Sequence, residues 1–176
     1  MSGSSFELLP PNAVAAVHEA ALAITSELSL PTVLNRIVGL SRELVNARYA
    51  ALGIPGPGGD RLVQFITSGI SEDQLREMGK PPQGHGLLGE LLKPDAEPIR
   101  INNISADPRA VGFSPHHPPM TSFLGVPIRA RGEVLGNLYL ADKIDADGFS
   151  EQDQATIETL AVYAAVAIEN ARLYQQ

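Results

Sequence analysis

The sequence predicts an α+β fold, an antiparallel sheet with its N- and C-terminal helices on one face and a ligand pocket on the other. Three observations carry this. Two helix-period segments open the chain, strand-period segments follow in turn-linked pairs, and one long helix-period segment closes it. Between the strand pairs lies an irregular stretch of loops and short helices, which must cover the second sheet face. A face covered in that way is a natural place for a small-molecule cavity.

The elements follow in order. Residues 1–11, "MSGSSFELLPP", read as a flexible leader, and residues 12–176 as a single domain. Val14, Val17, Ala21, Ile24 and Leu28 recur in alternating steps of three and four, the seam of a coiled-coil-like helix. Pro31 starts a second helix, whose stripe is Leu34, Ile37, Val38, Ser41, Leu44 and Val45. "RYAALGI" and "RLVQFITSG" alternate as strands around the Gly/Pro loop "PGPGGD". "SEDQLREMGK" and "GLLGELLK" predict short helices, and "PIRINNI" an exposed strand. A long connection, "ADPRAVGFSPHHPPM", leads into the strands "SFLGVPIRA" and "EVLGNLYLA", which "RG" joins. Ser150 and Asp153 have the spacing of a capping box at the start of the final helix.

Composition narrows function. At 176 residues and 44% hydrophobic content the chain supports one packed domain. A net charge of −7 argues against nucleic acid, which needs clustered Lys and Arg. The absence of cysteine excludes disulfides, thiol catalysis, Cys-based zinc sites and thioether-linked cofactors. No stretch is long and apolar enough for a membrane span, and the expectation is a cytoplasmic protein. No Ser/His/Asp arrangement or carboxylate pair has catalytic spacing, so the chain is read as a non-enzyme.

"HHPPMTSFLGVPI" stands out, because two histidines and two prolines lead directly into a buried strand. Metal ligation, a cofactor site and a rigid turn with surface imidazoles are all open on these residues alone. In "EVLGNLYLA", alternation puts Val134, Gly136, Leu138 and Leu140 on the helix side, and Leu135, Asn137 and Tyr139 on the pocket side. Tyr139 there either serves a ligand or fills core space. Phe65, Ile66, Leu87, Leu88 and Leu91 are candidates for apolar walls, and Phe113, Met120 and Phe123 flank the histidine segment. His85, between two glycines, and His18, beside the first helix seam, are read as solvated.

"LPTVLNRIVGLSRELVNARYAALGI", "FLGVPIRARGEVLGNLYLADK" and "FSEQDQATIETLAVYAAVAIENARLYQQ" resemble the GAF sensory domain over residues 12–176. "VGFSPHHPPMTSFLGVPI" is similar to one branch, the haem-binding first GAF domain of the mycobacterial dormancy-sensor histidine kinases DevS (DosS) and DosT. The resemblance implies noncovalent haem b, with His117 as the iron ligand directly before Pro-Pro-Met. It also implies Tyr139 in the distal pocket, 22 residues further on, with Met120, Phe123, Phe113 and Leu88 against the porphyrin. His116 is then a neighbour. The implied function is a haem-based sensor of oxygen, nitric oxide, carbon monoxide or redox state in a two-component histidine kinase. The alternatives are a GAF domain for another small molecule, such as a cyclic nucleotide or metabolite, and a ligand-free dimerisation and relay module.

"ADKIDADGFSEQD" resembles the Asn-Lys…Phe…Asp-Glu signature of cyclic-nucleotide-binding GAF domains, with Asp142-Lys143, Phe149 and Asp153 in altered form. It implies a Lys143–Asp153 pair, which at the surface is worth at most about 1 kcal/mol. The final helix has one apolar stripe at Ile157, Leu160, Ala164 and Ile168, and another at Val162, Val166 and Leu173. The second predicts a parallel homodimer through the terminal helices. The helical ending "NARLYQQ" is expected to continue into the kinase domains of a longer chain.

Overall fold

A computed structural model of the chain describes residues 9–59, 61–79, 86–110, 112 and 117–175. Helices α1 (Pro11–Thr25) and α2 (Leu30–Leu44) lead into strands β1 (Ala47–Pro55) and β2 (Leu62–Ser68). Short helices α3 (Glu72–Met78) and α4 (Leu87–Glu90) precede strand β3 (Ile99–Ile101) and a 3-10 turn at Ile104–Ala106. Strands β4 (Phe123–Ala130) and β5 (Glu133–Lys143) and helix α5 (Glu151–Tyr174) complete the fold. The sheet is antiparallel throughout, in the order β2-β1-β5-β4-β3.

Helices α1, α2 and α5 pack together, with α2 and α5 covering one face of the sheet. Their core joins Ile24, Ile37 and Ile168 to Leu52, Leu124, Leu138 and Leu140, all essentially without exposure. Each such side chain contributes about 1.5–3 kcal/mol by leaving water, so this layer carries most of the stability. Leu9, read from composition as leader, is buried against Val17 and Ala155. Helix α1 stops before the expected seam residue Leu28, which is exposed. There the Glu27 carboxylate accepts from the Leu28 and Ser29 amides at 3.1 and 3.0 Å and turns the chain toward Pro31.

Local chemistry explains the other boundaries. Ser150 Oγ accepts from the Asp153 amide at 3.1 Å while Asp153 Oδ2 accepts from the Ser150 amide at 2.9 Å, the expected capping box. Arg131 and Gly132 have φ of 53° and 79°. Two successive left-handed residues are what a tight hairpin between β4 and β5 requires.

Two side chains lie on the face opposite to the one expected. Ile128 pairs with Gly136 but Arg129 with Val134, so Leu135 is an extra residue at a bulge. It joins the helix-side core instead of the pocket side. Ile66 also packs on that core, because it alternates with Phe65 along β2. The Lys143–Asp153 pair forms at 3.2 Å, but it is no surface contact: both side chains are only 15% exposed. Lys143 Nζ also donates to the Val45 carbonyl at 2.7 Å, so one ammonium ties β5 to the end of α2 and the start of α5.

Candidate functional site

The face of the sheet away from the long helices carries a second apolar layer. Ala51 of β1, Ile99 of β3, Phe123 of β4 and Tyr139 of β5 form its floor, and Leu87, Leu91 and Ile104 close over them. Phe65, Leu88, Ile101, Ala110 and Met120 complete its rim. Three of the expected cofactor contacts, Leu88, Met120 and Phe123, are thus brought together around the fourth, Tyr139. Phe113, His116 and His85 lie outside the described residues; His18 is exposed, as expected.

Tyr139 is at the centre because its neighbours are small. Across the sheet it pairs with Ala51 on one side and Gly125 on the other. A Cβ on Gly53 would stand 3.3 Å from the Tyr139 ring, and one on Gly125 would collide with Leu91 and, at 2.8 Å, with Phe123. The floor is therefore a trough in which the phenol lies, its ring centroid 6.3 Å from that of Phe65 and 6.1 Å from that of Phe123, both tilted. Leu91 and Phe123 use the space over Gly125, so the layer is filled by its own side chains.

Burial pushes the Tyr139 hydroxyl well above the usual phenol range, because a phenolate would lose its hydration there. The neutral O–H has a partner that the sequence reading did not single out. Asn137, two residues earlier on the same strand face, is fully buried. With its amide oriented to satisfy its surroundings, Oδ1 accepts from Tyr139 Oη at 3.1 Å, and Nδ2 donates to the Leu91 carbonyl at 2.6 Å and the Gly136 carbonyl at 3.0 Å. One side chain thus holds the phenol and pins the end of α4 to the floor. Its period-two spacing from Tyr139 was the available signal.

His117 is half-buried and the following Pro118 is buried. The ring Nδ1 lies 2.7 Å from the Pro118 carbonyl oxygen. A carbonyl only accepts, so Nδ1–H is the donor in this contact. That arrangement orients a metal-ligating imidazole. The segment carrying His117 also places Met120 against the apolar layer.

Among the described residues no group of three or more His, Cys, Asp or Glu side chains is close enough to hold a metal ion. One imidazole, that of His117, lies three residues before Met120, which packs on the apolar layer; a metal held by a single imidazole needs its remaining ligands from another group.

A cavity of about 410 Å³ lies elsewhere, at the end of the sheet, between the β1–β2 loop (Pro55, Gly56, Gly58, Gly59), Glu133 to Leu135 and Arg172.

A sequence model described as GAF domain matches residues 27–169. Among solved structures, the chain is similar to the GAF domain of a phosphoenolpyruvate-protein phosphotransferase from Coxiella burnetii, with a TM-score of 0.77 and 26% identity over 92% of this chain and 95% of that one. It is similar to the free methionine-R-sulfoxide reductase of Neisseria meningitidis in complex with its substrate, at TM-score 0.72, 15% identity and coverage of 93% and 94%. A third match is the GAF domain of a protein described as a sensor histidine kinase from Pseudomonas syringae pv. tomato, at TM-score 0.63, 17% identity and coverage of 93% and 90%. Among the described residues no helix is long and apolar enough to cross a membrane.

Proposed function

The chain belongs to the GAF domain family, and from that premise we propose that it is the haem-binding sensory domain of a two-component signalling protein. The observation that carries the reading is the His117 ring: its Nδ1–H is held by the Pro118 carbonyl at 2.7 Å, on a segment that joins the apolar layer around Tyr139 at Met120. His117 would hold the iron of noncovalent haem b, with Leu88, Met120, Phe123 and, outside the described residues, Phe113 against the macrocycle. Haem, when bound, supplies an iron that takes up oxygen, nitric oxide or carbon monoxide or changes its oxidation state.

The protein's own part is to orient, to exclude water and to respond. The prolines after His117 reduce the freedom lost when its ring is fixed. Tyr139 supplies an O–H donor whose present acceptor is Asn137. An acceptor brought into the layer would compete with Asn137 for that O–H. The adjustable side chains are Leu91 and Phe123, which fill the space over Gly125 and have to turn to admit a macrocycle. The signal is a population shift in how the long helices pack. Exposed Val162, Val166 and Leu173 on α5 and Leu22 on α1 would meet a second copy and pass the shift to kinase domains of the parent chain.

The alternatives, another small ligand or a ligand-free relay, differ in one spectrum. Purified protein supplied with hemin should show a Soret band that is lost in His117→Ala and kept in His116→Ala. No Soret band with the wild-type chain overturns the haem reading, and one that survives His117→Ala overturns His117 as the iron ligand.

A further inference from the structure

Between His117 and the start of β4 the chain has no regular structure, yet its end is held closely. Thr121 donates its amide to Asp142 Oδ1 at 2.7 Å, and the Ser122 amide reaches the same oxygen at 3.2 Å. Asp142 returns its own amide to the Ser122 carbonyl at 3.0 Å, and Lys143 donates its amide to Ser122 Oγ at 3.1 Å. The Thr121 carbonyl accepts from the Ile104 amide at 2.8 Å. One carboxylate thus collects two backbone donors from the segment that carries His117.

Asp142 reaches them because its backbone is left-handed, with φ 59° near the end of β5. Asp and Asn are the non-glycine side chains that best tolerate this conformation. The next residue, Lys143, has its ammonium on the Val45 carbonyl and on Asp153 Oδ1. The other oxygen of Asp153 caps the first turn of α5 through the Ser150 amide. Two adjacent residues therefore face two ways: Asp142 toward the histidine segment, Lys143 toward the helices.

We propose that Asp142 is the positioning residue of the His117 segment, and that the Asp142–Lys143 pair couples the setting of that segment to the first turn of α5. The relevance of that position to a ligand rests on the haem reading above; the coupling itself is a property of the protein without any cofactor. A displacement of His117 to Met120 pulls on Thr121 and Ser122, hence on the left-handed joint, hence on the ammonium that holds Asp153.

The test is residue-resolved amide hydrogen exchange on the cofactor-free chain. Asp142→Gly keeps the left-handed backbone and removes the carboxylate, while Asp142→Asn keeps an acceptor oxygen. In Asp142→Gly, exchange at Thr121 and Ser122 should rise roughly tenfold or more, as expected for loss of a hydrogen bond to a charged group. Exchange at Asp153 and Gln154 should rise with it. Asp142→Asn should stay within about threefold of wild type. Lys143→Met should loosen Asp153 and Gln154 while leaving Thr121 and Ser122 protected. Circular dichroism checks that each variant is folded.

Unchanged exchange at Thr121 and Ser122 in a folded Asp142→Gly variant overturns the positioning role, as does an Asn variant as loose as the Gly one. Protection at Asp153 and Gln154 that ignores Asp142→Gly overturns the coupling. With hemin loaded, Asp142→Gly should also release it roughly tenfold faster than wild type, following the loosened segment. If the wild-type chain takes up no hemin, the haem reading fails and the exchange results still decide the role of Asp142.

Discussion

Replacing Asn137 by Ala tests whether one buried amide organises the candidate site. The change removes the acceptor of the Tyr139 hydroxyl and the donors to the Leu91 and Gly136 carbonyls. Tyr139 and Leu91 are both buried, so water does not readily replace the lost partner. Stranding a buried polar group costs roughly 1–3 kcal/mol, and two of them, the Tyr139 hydroxyl and the Leu91 carbonyl, roughly 2–6 kcal/mol. A domain in the middle of the ordinary range, about 10 kcal/mol, stays folded after that loss. In urea, with a slope of about 2 kcal/mol/M, the midpoint should fall by roughly 1–3 M. Tyr139→Phe alone leaves only the Asn137 oxygen short of a donor and should cost about 1–2 kcal/mol. The double variant carries the sharper prediction. Once Asn137 is gone the phenol has no partner to lose, so the two costs should fall short of additivity by about 1 kcal/mol. The cavity left by Ala is common to the Asn137→Ala variant and the double variant, and it cancels from this difference. Additivity within about 0.5 kcal/mol would refute the Tyr139–Asn137 hydrogen bond and with it the proposed orientation of the amide.

The remaining predictions concern the site's surroundings. Asp107 receives side-chain and backbone hydrogen bonds from Arg109, and the side-chain bond above all brings its carboxyl down to about 2. A lowered folded value favours the folded state above the ordinary carboxyl range, near pH 4. That contribution is lost as the pH falls from about 4 through about 2. A titration of the Asp107 carboxyl followed by NMR should show a midpoint near 2, and Arg109→Ala should return it toward the ordinary value; an unchanged midpoint would show that Arg109 is not the cause. Val166, 45% exposed on α5, is proposed to face a second copy. Val166→Glu should convert a dimer to a monomer in sedimentation velocity without lowering the thermal midpoint by more than a few degrees. A monomeric wild-type chain would remove the dimer from the proposal.

Much of the fold was legible because its signals are local. The capping box of α5 needs only Ser150 and Asp153 at the right spacing, and the hairpin needs only Arg131-Gly132 between two alternating runs. Tyr139 was legible in the same way, since its face follows from Leu138 and Leu140 lying opposite it. Leu135 was misplaced because a bulge is set by pairing with β4, and strand alternation holds no trace of it. Asn137 carried a weak signal that alternation alone could not turn into a partner. Asp142 carried less: its left-handed backbone and its hold on Thr121 and Ser122 join residues about twenty positions apart.

By itself the amino-acid sequence determined the order of helices and strands, the helix-bearing face of the sheet and the family to which the domain belongs. Those properties follow from hydrophobic period and turn chemistry, which act over a few residues. Only the tertiary structure decided that Leu91 and Phe123 fill the trough beside Tyr139, that Asn137 holds the phenol, and that Lys143 reaches the end of α2 as well as Asp153. Such contacts depend on which backbones come within about 3 Å of one another for hydrogen bonding, and that is settled when distant segments pack.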